Sequence, residues 1–169
     1  MKIIVVTRHR EKKILDPLSK SNIDYRCVTS DRKNLIRENL DIFSEIKRHL
    51  QNEEFDLILA DHADFSGFLA AILSCRYQVP LVVRLGGEVW TINNNKIKEA
   101  KKDKDISKYT FLKTLSLVNK YTLDRSDGFL TVSNHLRENV ISKFNIERKR
   151  VQTVNVPITN RFIQDSISN

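Results

Sequence analysis

The sequence has only four glycines in 169 residues, and none lies in the turn after its first apolar run, which reads Thr7-Arg8-His9-Arg10-Glu11. A dinucleotide-binding fingerprint needs glycines there, so that the backbone can approach a pyrophosphate. Their lack argues against NAD or FAD binding of that type. No P-loop sequence is present either. The two cysteines, Cys27 and Cys75, show no metal-ligand spacing. Both are expected to be reduced and buried, Cys27 in a strand and Cys75 in a helix. No metal site is expected. No apolar run approaches the ~20 residues of a membrane span, and Met1 leads into a strand-like run instead of a secretory leader. The expected location is therefore the cytoplasm. No Ser-His-Asp or Cys-His arrangement is legible from spacing. Asp61 ends the third apolar run, as in a receiver domain. Such a domain also needs acidic residues where Thr7 stands and a lysine where Val132-Ser133 stand.

What is present is a soluble, basic composition. Hydrophobic residues make up 40% and charged residues 30%, and the length suits one domain with a real core. Lysine and arginine number 29 against 21 acidic residues, a formal charge of +8. That excess predicts attraction to nucleic acid, phosphorylated small molecules or an acidic membrane surface, without choosing among them. Nucleic acid is the least favoured partner, because the lysines lack interleaved aromatics for base stacking.

Short Val-, Ile- and Leu-rich runs recur at 2–7, 25–29, 56–60, 80–85, 128–132 and 151–155. Most lack strict alternation, which is the pattern of parallel strands buried on both faces. Helical patterns lie between them. Ile36, Leu40, Phe43, Ile46 and Leu50 form one stripe. Asp64 can cap a nearly buried helix from Phe65 to Arg76. Tyr109, Leu112, Leu115 and Val118 mark a third helix, and Ser133 or Asn134 can cap a fourth. The alternation predicts an α/β fold: a Rossmann-like, doubly wound, mostly parallel sheet with helices on both faces. Residues 93–108 break the rhythm as a lysine-rich insertion.

Two of the four glycines fall in one turn, within PLVVRLGGEVW (residues 80–90). Glycine suits positive φ or the close approach of a ligand. In an open parallel sheet the strands' carboxyl ends share one edge, where ligands bind. That edge should carry Arg8, His9 and Arg10, then Asp61, His62 and Asp64. Gly86, Gly87, Glu88 and Trp90 follow, then Ser133 and Asn134. The carboxylates and Trp90 suit a polyhydroxylated ligand, and Arg8, His9 and Arg10 suit a phosphate. Each also has a plainer role: His62 in a loop hydrogen bond, Trp90 in packing, the basic cluster as a solvated helix start, the glycines in the turn alone.

Three segments, in order, carry a family resemblance. FDLILADHADFSGFLAAILSCRYQVPLVVRLGGEVW resembles the amino-terminal domain of family 4 (group 1) glycosyltransferases of GT-B fold. VNKYTLDRSDGFLTVSNHLRENVISKFNI resembles that family's next block, and VQTVNVPITNRF resembles a degenerate form of its Val-x-x-Ile-Pro-Asn-Gly-Val-Asp block. The resemblance implies transfer of a sugar, with retention, from a nucleotide-sugar donor to a glycan or lipid-linked acceptor. It implies no cofactor beyond that donor. Residues 1–157 would be the acceptor-binding half, with Asp61, His62, Gly86, Gly87, Glu88, Trp90, Ser133 and Asn134 at the acceptor. Residues 158–169 would begin a linker to a donor-binding, carboxy-terminal domain that carries the catalytic groups. Arg8, His9 and Arg10 would meet phosphate. The family's glycine-rich first turn is replaced by those residues, and a histidine expected near Gly86 is not there. Relatives that use lipid-linked acceptors meet the membrane through this half. Lys98, Lys101, Lys102, Lys104 and Lys108 would then contact the inner membrane face. The alternative is a non-catalytic subunit that docks or anchors a separate donor-binding chain.

Overall fold

The computed structural model describes residues 1–7, 12–30 and 34–154, excepting the side chains of residues 12 and 13. Six parallel strands form one sheet: β1 (Lys2–Val6), β2 (Asp24–Val28), β3 (Leu57–Ala60), β4 (Leu81–Leu85), β5 (Gly128–Thr131) and β6 (Val151–Thr153). Their order is β2-β1-β3-β4-β5-β6. The helices are α1 (Lys12–Ser19), α2 (Leu35–Asn52), α3 (Phe65–Tyr77), α4 (Val89–Lys102), α5 (Ile106–Arg125) and α6 (Asn134–Phe144). All six expected runs are strands, displaced by a residue or two at their ends.

Successive strand residues point to opposite faces, and the core divides accordingly. Ile4, Val6, Ile58, Ala60, Leu81, Val83 and Phe129 pack with α2, α3, α5 and α6. Ile3, Val5 and Leu59 pack with Ile14 of α1 on the other face. The sheet therefore carries helices on both faces, unevenly shared among the described residues. The α1 helix has only eight residues with Pro17 inside it, too short and too interrupted to stand out in the sequence.

Four expectations need correction. Cys75 is exposed and Cys27 half-buried, because Cys75 faces away from the sheet near the end of α3. In α3 the buried residues are mainly small, Ser66, Gly67, Ala70, Ala71 and Ser74, together with Leu73. Phe65, Phe68, Leu69 and Ile72 are half-buried, since only small side chains let the helix backbone sit close to the sheet. In α2, Ile42 and Ile46 reach the core, while Ile36 is 71% and Leu40 60% exposed. Finally, the lysine-rich insertion is largely helix: α4 covers Val89–Lys102. Asn93 and Ala100, seven residues apart and so on one side of the helix, are its buried positions.

α4 and α5 form a hairpin joined at residues 103–105. The α5 helix has 20 residues, about 30 Å, whereas β4 has five, about 16 Å. Its carboxyl end is level with the start of β4, where Asp127 N–H donates to Leu81 O at 2.8 Å. The amino-terminal half of α5 therefore overshoots the sheet's carboxyl edge. Asn119 stitches it there: its amide donates to the Ala63 and Leu115 carbonyls (2.6 and 3.0 Å) and accepts from Asn93 Nδ2 at 3.1 Å.

Candidate functional site

The chain leaves β1 toward β2 on one side and returns past β1 to β3 on the other. This reversal opens a crevice beyond the carboxyl ends of β1 and β3, the usual ligand position in open α/β sheets. Thr7 and Asp61 are the first residues beyond those two strands. Thr7 Oγ1 donates to Asp61 Oδ2 at 3.3 Å. Arg84, on β4, donates to Asp61 Oδ1 at 2.5 Å. The alternation that buries Leu81, Val83 and Leu85 on one face sends Arg84 to the other, beside Asp61. Both groups are well buried, the Asp61 side chain at 2% exposure and Arg84 at 17%. A carboxylate this buried stays charged only with such partners.

His62 follows Asp61 and stays accessible at 40%, with Nε2 3.8 Å from Asp61 Oδ2. Its position is set from below by Gly67. A Cβ on Gly67 would stand 2.1 Å from the His62 carbonyl oxygen, so only glycine lets α3 pass under this loop. Asp64 completes the helix start by accepting from the N–H groups of Ser66 and Gly67.

The double glycine meets this group from the adjacent strand. No described glycine has a positive φ, so the turn does not need Gly86 or Gly87 for backbone freedom. A Cβ on Gly86 would lie 3.8 Å from His62 Cε1, and one on Gly87 would meet nothing within 4 Å. The two glycines leave open space above the sheet edge, with the His62 ring standing over it. The structure thus brings Asp61, His62 and Gly86 together.

Glu88 belongs to a second group. Its carboxylate accepts from Thr91 Oγ1 at 2.9 Å and from Asn139 Nδ2, and His135 Nε2 lies 3.7 Å away. The Thr91 hydroxyl first, then the Asn139 amide, hold the Glu88 carboxyl below the ordinary glutamate range. These contacts tie the β4–α4 turn to α6. Ser133 and Asn134 are engaged locally. Ser133 accepts from Leu136 N–H at 3.2 Å as the cap of α6, and Asn134 Oδ1 accepts from Thr153 Oγ1 at 2.9 Å. Trp90 turns onto the flank and packs edge-to-face with Phe144, centroids 5.1 Å apart. Arg8, His9 and Arg10 lie outside the described residues. Lys98, Lys101, Lys102, Lys104 and Lys108 are all exposed around the tip of the α4–α5 hairpin. Asp103 and Asp105 are among them, and Asp105 caps α5 by accepting from Lys108 N–H at 2.9 Å.

Sequence reasoning gave no role to Arg84, Asn139 or His135. Arg84 had a visible signal, a cation inside an apolar strand, which is almost never buried unpaired. Asn139 and His135 had none, because their partner Glu88 is 51 residues from Asn139. Among the described residues no His, Cys, Asp and Glu cluster could hold a metal ion.

The sequence model of Glycosyltransferase Family 4 matches residues 2–159. The chain belongs to that family. No curated protein matches the family 4 chain by sequence. Among solved structures it is similar to the UDP-GlcNAc 2-epimerase of Methanocaldococcus jannaschii, in complex with UDP-GlcNAc and UDP. The identity is 14% and the TM-score 0.61, over 90% of this chain and 45% of that one. The Neisseria meningitidis UDP-GlcNAc 2-epimerase bound to UDP-GlcNAc gives 13% and 0.60, over 90% and 45%. A lipopolysaccharide outer core galactosyltransferase in its apo form gives 11% and 0.53, over 94% and 46%. At these identities the likeness is one of fold: a Rossmann-like sheet of GT-B type. The chain spans about half the length of these structures.

Proposed function

We propose that this family 4 chain is the acceptor-binding half of a GT-B glycosyltransferase. The whole protein moves a sugar from a nucleotide-sugar donor to a glycan or lipid-linked acceptor. The carrying observation is the His62 imidazole, accessible over the open Gly86-Gly87 turn and backed by the buried Asp61–Arg84 pair. An accessible imidazole at the switch-point edge, with space beside it, suits hydrogen bonding to sugar hydroxyls. His62 supplies from β3 the ring that the family resemblance leads one to expect near Gly86. Arg8, His9 and Arg10, directly after Thr7, take the phosphate of donor or acceptor.

The chemistry assigned to this half is binding and orientation. Asp61 is committed to Arg84 and Thr7 and acts as an anchor that positions His62. The donor sits on a second domain that closes over this edge. The UDP-GlcNAc named for two solved neighbours supports a nucleotide-sugar as the donor class. Stabilisation of the leaving diphosphate and of the cationic sugar centre belongs to the closed cleft, where water is excluded. Transfer is with retention, and residues 1–169 alone are inactive.

The test is sugar transfer by the whole gene product, by the fragment 1–169 and by His62→Ala. The expectation is loss of most transfer in His62→Ala with an unchanged melting temperature, and none in the fragment. Transfer by the fragment, or full activity of His62→Ala, would overturn the proposal.

The protein works at the cytoplasmic membrane face, with the hairpin tip as its contact. Five exposed lysines lie along the hairpin before and after its tip, where Ile106 is itself 78% exposed, and each basic residue near an anionic surface contributes about 1 kcal/mol. No helix of the described residues is long and apolar enough to cross a membrane. Co-sedimentation with phosphatidylserine vesicles, lost in neutral vesicles or after replacing Lys101, Lys102 and Lys104 by glutamine, is the expected result.

A further inference from the structure

A second cavity lies off the edge just described, on the flank between α5 and α6. Its volume is about 480 Å³, within the range of small-ligand sites. Trp90 and Phe144 form an aromatic wall, and Asn94 lies on the lining from α4. Three charged side chains line it: Lys120, Asp124 and Lys143. Lys120 and Asp124 neutralise one another at 2.6 Å. Lys143 has no ion pair among the described residues, so the lining side chains carry one positive charge in excess, with the Glu88 carboxylate outside the lining but within electrostatic reach. A cation in the last turn of a helix is favoured by the helix dipole, but that role does not require the side chain to line a cavity.

A half-buried indole beside hydrogen-bonding groups suits a ring with an apolar face and polar edges. An unpaired ammonium suits an anionic substituent on that ring. We propose that this flank cleft is a separate binding site for an acidic saccharide, one bearing a carboxylate or phosphate. The ring packs on Trp90 and the anion reaches Lys143. The proposal rests on the glycosyltransferase reading: the cleft holds a remote part of an acidic glycan acceptor while its growing end reaches His62. Glu88 lies within electrostatic reach of Lys143, on the turn that separates the two sites, and so links the flank to the edge.

Trp90 is the only tryptophan of the sequence and lines this cleft, so intrinsic fluorescence reports on it. The experiment titrates the intact gene product, or a version in which any further tryptophan is replaced by phenylalanine. The probes are a glucuronate-containing disaccharide, its neutral glucose isostere, a sugar phosphate and UMP. The proposal expects saturable quenching by the glucuronate disaccharide or the sugar phosphate, and which of them acts identifies the anion. Affinity falls roughly tenfold in Lys143→Gln, the loss of one charged hydrogen bond, and is restored in Lys143→Arg. Equal binding of the neutral isostere, unchanged affinity in Lys143→Gln, or a response to UMP alone would overturn it. The two readings fail separately. A flat titration with intact sugar transfer removes the flank site only. A saturable, Lys143-dependent titration without transfer by the whole protein keeps the flank site and removes the glycosyltransferase reading.

Discussion

Asp61 and Glu88 stand at the same edge of one sheet, each a carboxylate just beyond a strand, and the fold treats them oppositely. The Asp61 side chain is 2% exposed and gripped by Arg84. The Glu88 side chain is 32% exposed and held by the neutral groups of Thr91 and Asn139. A buried charge must be matched by a charge, because an unpaired ion in a low-dielectric setting is costly. A half-exposed one is satisfied by dipoles and water. Asp61 is therefore held by an ion pair, while Glu88 clasps the β4–α4 turn to α6 through neutral hydrogen bonds. The edge is held by an ion pair at the crevice between β1 and β3 and by neutral hydrogen bonds at the β4–α4 turn.

The contrast can be broken most forcefully at Arg84. Arg84→Met removes the cation that donates to the buried Asp61 carboxylate, and the expected loss is about 3–5 kcal/mol, the range for breaking a buried pair. Chemical denaturation measures it. A loss under about 1 kcal/mol, the range of exposed pairs, would mean that Asp61 is no more committed than Glu88. Gly67→Ala ranks next, at about 1–3 kcal/mol for overpacking, because the new methyl meets the His62 carbonyl. The same variant should weaken ligand binding at His62, which a stable variant at a neutral site such as Gln51 would not do.

Acid sharpens the contrast at Glu88. Its carboxyl is held below the ordinary glutamate range, so folding favours the charged form. The stabilisation is present above the unfolded glutamate value and is lost as pH falls through the lower folded value. Glu53, held down chiefly by its hydrogen bond from Lys2, and Glu147, held down chiefly by Lys149, titrate in the same sense. The informative measurement is thus the difference in acid sensitivity between the wild type and Glu88→Gln. The variant should lose less stability between neutral pH and the acid limit, and an identical pH profile would remove Glu88 from the clasp. The smallest expected effect is chemical. Cys75 should react with a thiol reagent in the native state faster than Cys27, with little change in melting temperature.

The two faces of the sheet show how far sequence reasoning reaches. Alternation within β4 is visible once the strand is known: Leu81, Val83 and Leu85 against Val82 and Arg84. Each parity set joins a different core. The sequence does not reveal which set is covered by four helices and which by α1. That depends on the handedness and order of the crossovers, which are properties of the whole chain. The same limit explains Ile36 and Leu40. Their spacing continues the α2 stripe, but the helix extends past the sheet it packs on, so the stripe's amino-terminal part is left exposed. It also explains Trp90, which the turn motif placed at the edge and which packing against Phe144 draws onto the flank.

Composition and pattern by themselves determined the α/β class, the six strands, the cap at Asp64, a cap at either Ser133 or Asn134, and the edge that carries Asp61, His62 and the double glycine. These are local properties, set by side-chain periodicity and by the shared direction of parallel strands. Only the tertiary structure decided that Asp61 is paired with Arg84 and that the His62 ring lies beside Gly86. It alone decided that Glu88 clasps α6 and that Lys143 and Trp90 line one cleft. Each of those facts is a contact between groups distant in sequence, and burial, which sets what a charge can do, exists only once the elements have packed.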